Sequence, residues 1–309
     1  MIQKIIDGLN AREKKYIAKA ISIVESNSSQ AQELLGNINS NSTHAIRIGI
    51  TGPPGAGKST ITNQLIKRYR ENNKSVCALL VDPSSPFTKG AVLGDRIRMK
   101  DFHKDNNVFI RSIASRGSKG GLSDNIEYIA NVINYCKFDI IIFETVGIGQ
   151  IELDVIESVD TVAVVLVPES GDDIQMMKAG LIEIADIYVI NKYDRKDSNK
   201  LFIALNNMLK LVVNDKWTPK IIKTVAINDE GIKELNDVIS DHNKYLRDTG
   251  GIVKKDDHRY KNNIKNLIIS DFEKSFWSKD KKDILEIELQ KKSNNRLSIK
   301  KLFEKLKSK

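Results

Sequence analysis

The stretch Ile46-Arg47-Ile48-Gly49-Ile50-Thr51-Gly52-Pro53-Pro54-Gly55-Ala56-Gly57-Lys58-Ser59-Thr60 decides how the chain is read. From Gly52 through Ser59 it fits G-x-x-x-x-G-K-[ST] in full. An apolar run, Ile46–Ile50, precedes it, and Ile61 to Tyr69 follows with a helical pattern. That strand–loop–helix setting is what the motif needs. Glycines let the backbone of Gly52, Pro53, Pro54, Gly55, Ala56 and Gly57 wrap so that its N–H groups face phosphate oxygens. The helix opening at Lys58, Ser59 and Thr60 adds its positive N-terminal end. Lys58 is expected to reach the β- and γ-phosphates, and the Ser59 hydroxyl to ligate Mg²⁺.

Outward from this loop, further short apolar runs alternate with helical segments: Val76–Val81, Val108–Ile110, Ile140–Phe143, Val162–Val167, Ile187–Ile190 and Ile221–Val225. Continuous runs without polar alternation suit strands buried on both faces. Strand and helix in repetition predict a doubly wound, mostly parallel sheet, an α/β P-loop domain. Asn191-Lys192-Tyr193-Asp194 follows the Ile187 run and fits N-K-x-D. In that pattern the Asp accepts hydrogen bonds from guanine N1–H and the 2-amino group. Adenine offers neither, and an unmatched carboxylate is costly. Asn191 is expected to brace the loop, and the Lys192 stem to cover the base plane. Thr224-Val225-Ala226 places an N–H, that of Ala226, where guanine O6 is expected. GTP and GDP are therefore the expected ligands.

Three more carboxylates lie at strand ends or close by. Glu144-Thr145-Val146-Gly147 resembles the D-x-x-G switch with Glu for Asp. Glu144 is expected to act on Mg²⁺ through water, and the Gly147 N–H to sense the γ-phosphate. Asp82, in Val81-Asp82-Pro83, ends the Val76 run and is expected near Mg²⁺ or the attacking water. Asp95, in Gly94-Asp95-Arg96, is a further switch candidate on the metal.

The strings Val81-Asp82-Pro83-Ser84-Ser85-Pro86, Gly94-Asp95-Arg96 and Glu144 through Gln150 resemble the MeaB/ArgK family. So does the run from Gly171-Asp172-Asp173-Ile174-Gln175 to Asp186. The resemblance spans about residues 15 to 240. It implies a homodimeric GTPase chaperone that couples hydrolysis to cofactor loading or protection of an adenosylcobalamin-dependent acyl-CoA mutase. It also implies a mobile switch from about Pro168 to Gly180, with Lys178 moving towards the nucleotide. The family commonly has Pro-Gly-Ala-Gly-Asp where this chain has Pro168-Glu169-Ser170-Gly171-Asp172. No arginine finger is evident; Arg96, Arg98, Arg111 and Arg116 are candidates, and slow intrinsic turnover is expected.

The chain is expected to divide into a helical N-terminal extension (1–43), a GTPase domain (44–245) and a basic helical arm (246–309), a possible dimerisation element. Of the net charge of +9, nearly all lies from Lys254 to Lys309, where 17 Lys/Arg face nine Asp/Glu. Glu273, Glu286 and Glu288 interrupt that arm, so it reads as a solvated helical face rather than a nucleic-acid site. No apolar run nears the roughly 20 residues that span a bilayer, and the cytoplasm is the expected compartment. Cys77 and Cys136 sit in apolar runs and read as small buried residues. The four histidines, His44, His103, His242 and His258, are widely spaced and read as surface or loop residues. That spacing disfavours a metal-delivery GTPase, and N-K-x-D disfavours a transport ATPase or protein kinase.

Overall fold

The computed structural model describes residues 1–26, 28–38, 45–83, 102, 104–115, 122–145, 155–168, 184–210 and 217–308. Two compact units emerge, Met1–Arg259 and Tyr260–Lys309. Among the described residues of the first, seven strands form one sheet: β1 (Ile46–Thr51), β2 (Val76–Pro83), β3 (Val108–Ser115), β4 (Ile140–Thr145), β5 (Thr161–Leu166), β6 (Ile187–Asn191) and β7 (Lys220–Thr224). They lie in the order β3-β2-β4-β1-β5-β6-β7, and every pairing is parallel. All seven apolar runs of the sequence became strands.

The reason is visible in where alternate side chains go. In β4, Ile140 and Ile142 join one core while Ile141 and Phe143 join the other. In β2, Val76 and Ala78 part from Cys77, Leu79 and Val81 in the same way. Both faces are covered, so every position is apolar and no alternation survives. One face carries α4 (Lys58–Glu71) and, further along the chain, a helix over Ile232–Asp248. The other carries α1 (Ile2–Asn10), α2 (Lys14–Glu25), α3 (Ser29–Asn37), α5 (Leu122–Tyr135) and α6 (Ser198–Leu209). The N-terminal helices thus share a core with the sheet: Ile5, Leu9, Ile17, Ile21 and Leu34 are buried with Leu79 and Phe143.

At the N-terminal ends of the strands, charges are paired out of water. Arg47 Nη1 donates to both carboxylate oxygens of Glu127 on α5, at 2.8 and 2.9 Å. Asp160 accepts from the Arg47 backbone N–H and from Arg259 Nη1, each at 3.0 Å. Arg259 belongs to α8 (Gly251–Phe276), which follows the Ile232–Asp248 helix, α7.

The second unit holds the rest of α8 with α9 (Lys279–Gln290) and α10 (Ile299–Lys307). Glu288 organises it, accepting from Lys291 Nζ at 2.8 Å and from the Leu297 N–H at 2.6 Å. Tyr260, Ile268, Phe272, Ile287 and Ile299 are exposed. Among the described residues, no helix is long and apolar enough to cross a membrane.

Candidate nucleotide site

Strand β1 has β4 on one side and β5 on the other, and the chain reverses its direction of travel across the sheet there. In open α/β sheets, ligands bind beyond the carboxyl ends of the strands at such a switch point. The loop after β1 lies there. Gly52 has φ 140°, and a Cβ on it would lie 2.1 Å from the Val165 carbonyl oxygen, so only glycine fits. Gly57, φ 91°, caps α4 in the left-handed region. Lys58 follows it, 6% exposed, and its ammonium donates to the carbonyls of Gly52 at 2.8 Å and Pro53 at 2.9 Å. It is therefore folded back over the loop. Thr60 lies one residue beyond Ser59, half-buried, its N–H donating to the Gly57 carbonyl.

Glu144 stands at the C-terminal end of β4, which pairs directly with β1. Only 5% of it is exposed. Its two oxygens accept from two hydroxyls of α4: Ser59 Oγ at 2.5 Å and Thr62 Oγ1 at 2.7 Å. Beside it, Thr145 Oγ1 donates to Thr51 Oγ1 at 2.9 Å, tying the same two strand ends.

Asn191, at the end of β6, joins the loop to the N-K-x-D turn. Its Nδ2 donates to the Ala56 carbonyl at 2.8 Å. Its Oδ1 accepts from Thr224 Oγ1 at 3.0 Å and from the Ala226 N–H at 3.1 Å. A side chain at Gly57 would meet this amide, with a Cβ 2.2 Å from Asn191 Nδ2. Gln64 of α4 adds a bond to the Ala226 carbonyl at 3.0 Å. Lys192, with φ 57°, is half-buried, and Asp194 is exposed beyond it. The fold therefore brings Gly52–Thr60, Glu144, Asn191, Lys192, Asp194 and Ala226 to one edge of the sheet.

Thr62 and Gln64 carry no motif in the sequence, and Thr224 enters there only as the start of the Thr224-Val225-Ala226 string. A signal for the first was present, since Ser59 and Thr62 stand three apart on a helix and share a face. The Asp82 backbone is the penultimate residue of β2, in register with Ala114. Its side chain is not described, and Asp95, Gly147, Lys178, Arg96, Arg98 and Arg116 lie outside the described residues.

Arg111, one of the four finger candidates, is engaged elsewhere. It projects from β3 onto α2, donating to the Ala18 carbonyl at 2.8 Å, Ser22 Oγ at 3.0 Å and Glu25 Oε2 at 2.8 Å. His242 departs from the surface reading. It is 1% exposed, with Nδ1 at 2.9 Å from Thr161 Oγ1 and Nε2 at 3.4 Å from Asp186 Oδ1. Burial, with Lys255 nearby, pulls its pKa down to about 4. Burial also lifts Asp186 to about 6, against the pull of Lys255. A lone His in α7 gives no hint of this, because its partners are Thr161 of β5 and Asp186, the residue before β6. Cys77 and Cys136 are free and buried, as expected, and burial drives both thiols upward, Cys136 to about 12.

Residues 17–281 match the family model described as methylmalonyl Co-A mutase-associated GTPase MeaB. A putative GTPase of Pyrococcus abyssi is 42% identical over 273 residues, covering 87% of this chain and 84% of its own length. GTPase ArgK of Escherichia coli is 34% identical over 252 residues, covering 78% and 76%. A crystal structure titled LAO/AO transport system kinase is 26% identical, covers 99% of this chain and 96% of its own, and superposes with a TM-score of 0.70. The chain belongs to the MeaB/ArgK family of P-loop GTPases.

Proposed function

We propose that the protein binds GTP with Mg²⁺ between residues 52–60 and the Asn191–Asp194 turn, and that its cycle serves an adenosylcobalamin-dependent acyl-CoA mutase. One observation carries the nucleotide half of this reading. The Asn191 side chain holds the phosphate loop at Ala56 and the turn after β7 together, its Oδ1 taking the Ala226 N–H that was expected to face guanine O6. The mutase half rests on the description of the matched family.

Within this reading, Lys58 turns its ammonium from its own loop carbonyls to the β- and γ-phosphate oxygens and neutralises charge that develops there. Asp194 takes the two guanine donors. Ser59 and Glu144 present hydroxyl and carboxylate oxygens, the hard donors that Mg²⁺ takes, so the pair fits that ion. When bound, Mg²⁺ supplies further charge neutralisation at the phosphates. Asp82 or Asp95 holds the attacking water, the Gly147 N–H senses the γ-phosphate, and Lys178 approaches from the 168–180 segment. Turnover by the protein alone is slow, and the chain acts as a homodimer, for which the exposed apolar residues of the second unit give room.

Calorimetry with GTP, GDP and ATP tests the site. GTP is expected to bind at least about tenfold tighter than ATP, the ratio that one unmatched buried hydrogen bond gives, and Asp194→Asn is expected to erase that ratio. Equal affinity for ATP overturns the base assignment. Capture from native lysate with a non-hydrolysable GTP analogue, and separately with GDP, tests the partner. An acyl-CoA mutase held in a nucleotide-dependent way supports the role, and a different client replaces it.

A further inference from the structure

We propose that Thr62 is a positioning residue for the metal end of the site, fixing the Glu144 carboxylate through its second oxygen. The inference rests on the nucleotide reading above and deepens it. The switch pattern ordinarily puts Asp at this position; Glu carries one more methylene and one more torsion. The terminal torsion of Glu is broad, so a carboxylate held at one oxygen swings. Here it is held at both: Ser59 takes Oε1 and Thr62 takes Oε2.

The geometry of α4 makes this clamp possible. Residues 59 and 62 are one helical step of three apart and present their hydroxyls on one face, towards the end of β4. Thr62 is fully buried, so its hydroxyl needs a protein partner. A buried helical Thr commonly satisfies itself on the carbonyl four residues back. This one reaches across to another element and takes a charge-accepting oxygen instead. Because Ser59 is the expected metal ligand, the orientation of Glu144 sets how freely Ser59 turns from the carboxylate to the ion. Thr62 acts on the metal through Glu144 and touches neither metal nor phosphate.

The test is the Mg²⁺ dependence of fluorescent GDP binding, read with the full chain. In Thr62→Val, the Mg²⁺ concentration for half effect is expected to rise about tenfold, the worth of one charge-assisted hydrogen bond. Affinity for the same GDP probe in EDTA is expected to stay within about twofold, and Thr62→Ser to remain near the unaltered protein. In a Glu144→Asp background the shorter carboxylate does not span both hydroxyls, so adding Thr62→Val is expected to change the Mg²⁺ midpoint by less than about twofold. Thr62→Ala is read by the same two quantities and serves if the valine variant does not fold.

An unshifted Mg²⁺ midpoint in Thr62→Val, with the unaltered protein responding to Mg²⁺, overturns the role of Thr62 alone. Equal losses with Mg²⁺ and in EDTA also overturn it, since they mark a packing role. If the unaltered protein binds GDP without regard to Mg²⁺, the metal reading itself fails and takes this inference with it.

Discussion

The two ends of the same sheet hold their charges with different bonds. At the N-terminal ends, buried charges meet buried charges: Arg47 with Glu127, and Asp160 with Arg259. At the C-terminal ends, Lys58 donates to backbone carbonyls and Glu144 accepts from hydroxyls. Hydrogen bonds to carbonyls and hydroxyls such as these are exchanged at little cost when a phosphate or a cation arrives. Opposite charges out of water are not, because removing one strands the other. Under the proposed function, one edge is built to stay and the other to exchange bonds with a ligand.

The largest break in this contrast is expected at Asp160. Asp160→Ala takes the acceptor from the Arg47 N–H and leaves Arg259 paired with Asp256 alone, and chemical denaturation should show a loss of about 3 kcal/mol. GDP affinity of the folded fraction should not change. Lys58→Ala should do the reverse. It is expected to lower GTP turnover about a hundredfold or more, the scale of one lost charge-stabilising donor.

The smallest effect sharpens the contrast inside the first unit. His242, held down to about 4, contributes stability above its unfolded value of 6.5 and loses it as pH falls towards 4. Asp186, lifted to about 6, contributes below its unfolded value of 3.8 and loses it as pH rises towards 6. Between pH 4 and 6 the two slopes oppose each other. Asp186→Asn keeps an acceptor for the Val162 N–H but removes one slope. Its melting temperature should drop by a few degrees from pH 6.5 to 4.5, more steeply than that of the unaltered protein.

Much of the sheet and of the nucleotide edge was legible because each signal is local. A buried parallel strand writes itself as an unbroken apolar run, as Ile140–Phe143 does. The phosphate loop and the Asn191 turn each occupy a few consecutive residues. What joins them was not legible: Asn191 meets Ala56 across 135 positions of chain, and Arg47 meets Glu127 across 80. No spacing rule carries a pairing of that length. His242 was misread for the same reason, since a histidine between Asp241 and Asn243 in a polar stretch gives no hint of a β5 threonine against its ring. Arg111 follows the same logic. Its partners belong to α2, which the sequence read as lying outside the nucleotide domain and the fold lays against the sheet.

The side chain of Asn191 works as a spacer of fixed length. With its amide on the loop and its carbonyl oxygen on the β7 turn, the gap between the two recognition ends is gauged before any ligand enters. A molecule of the right reach then meets a surface already cut to its measure. One that is too short or too long must force apart elements that the protein has bolted together.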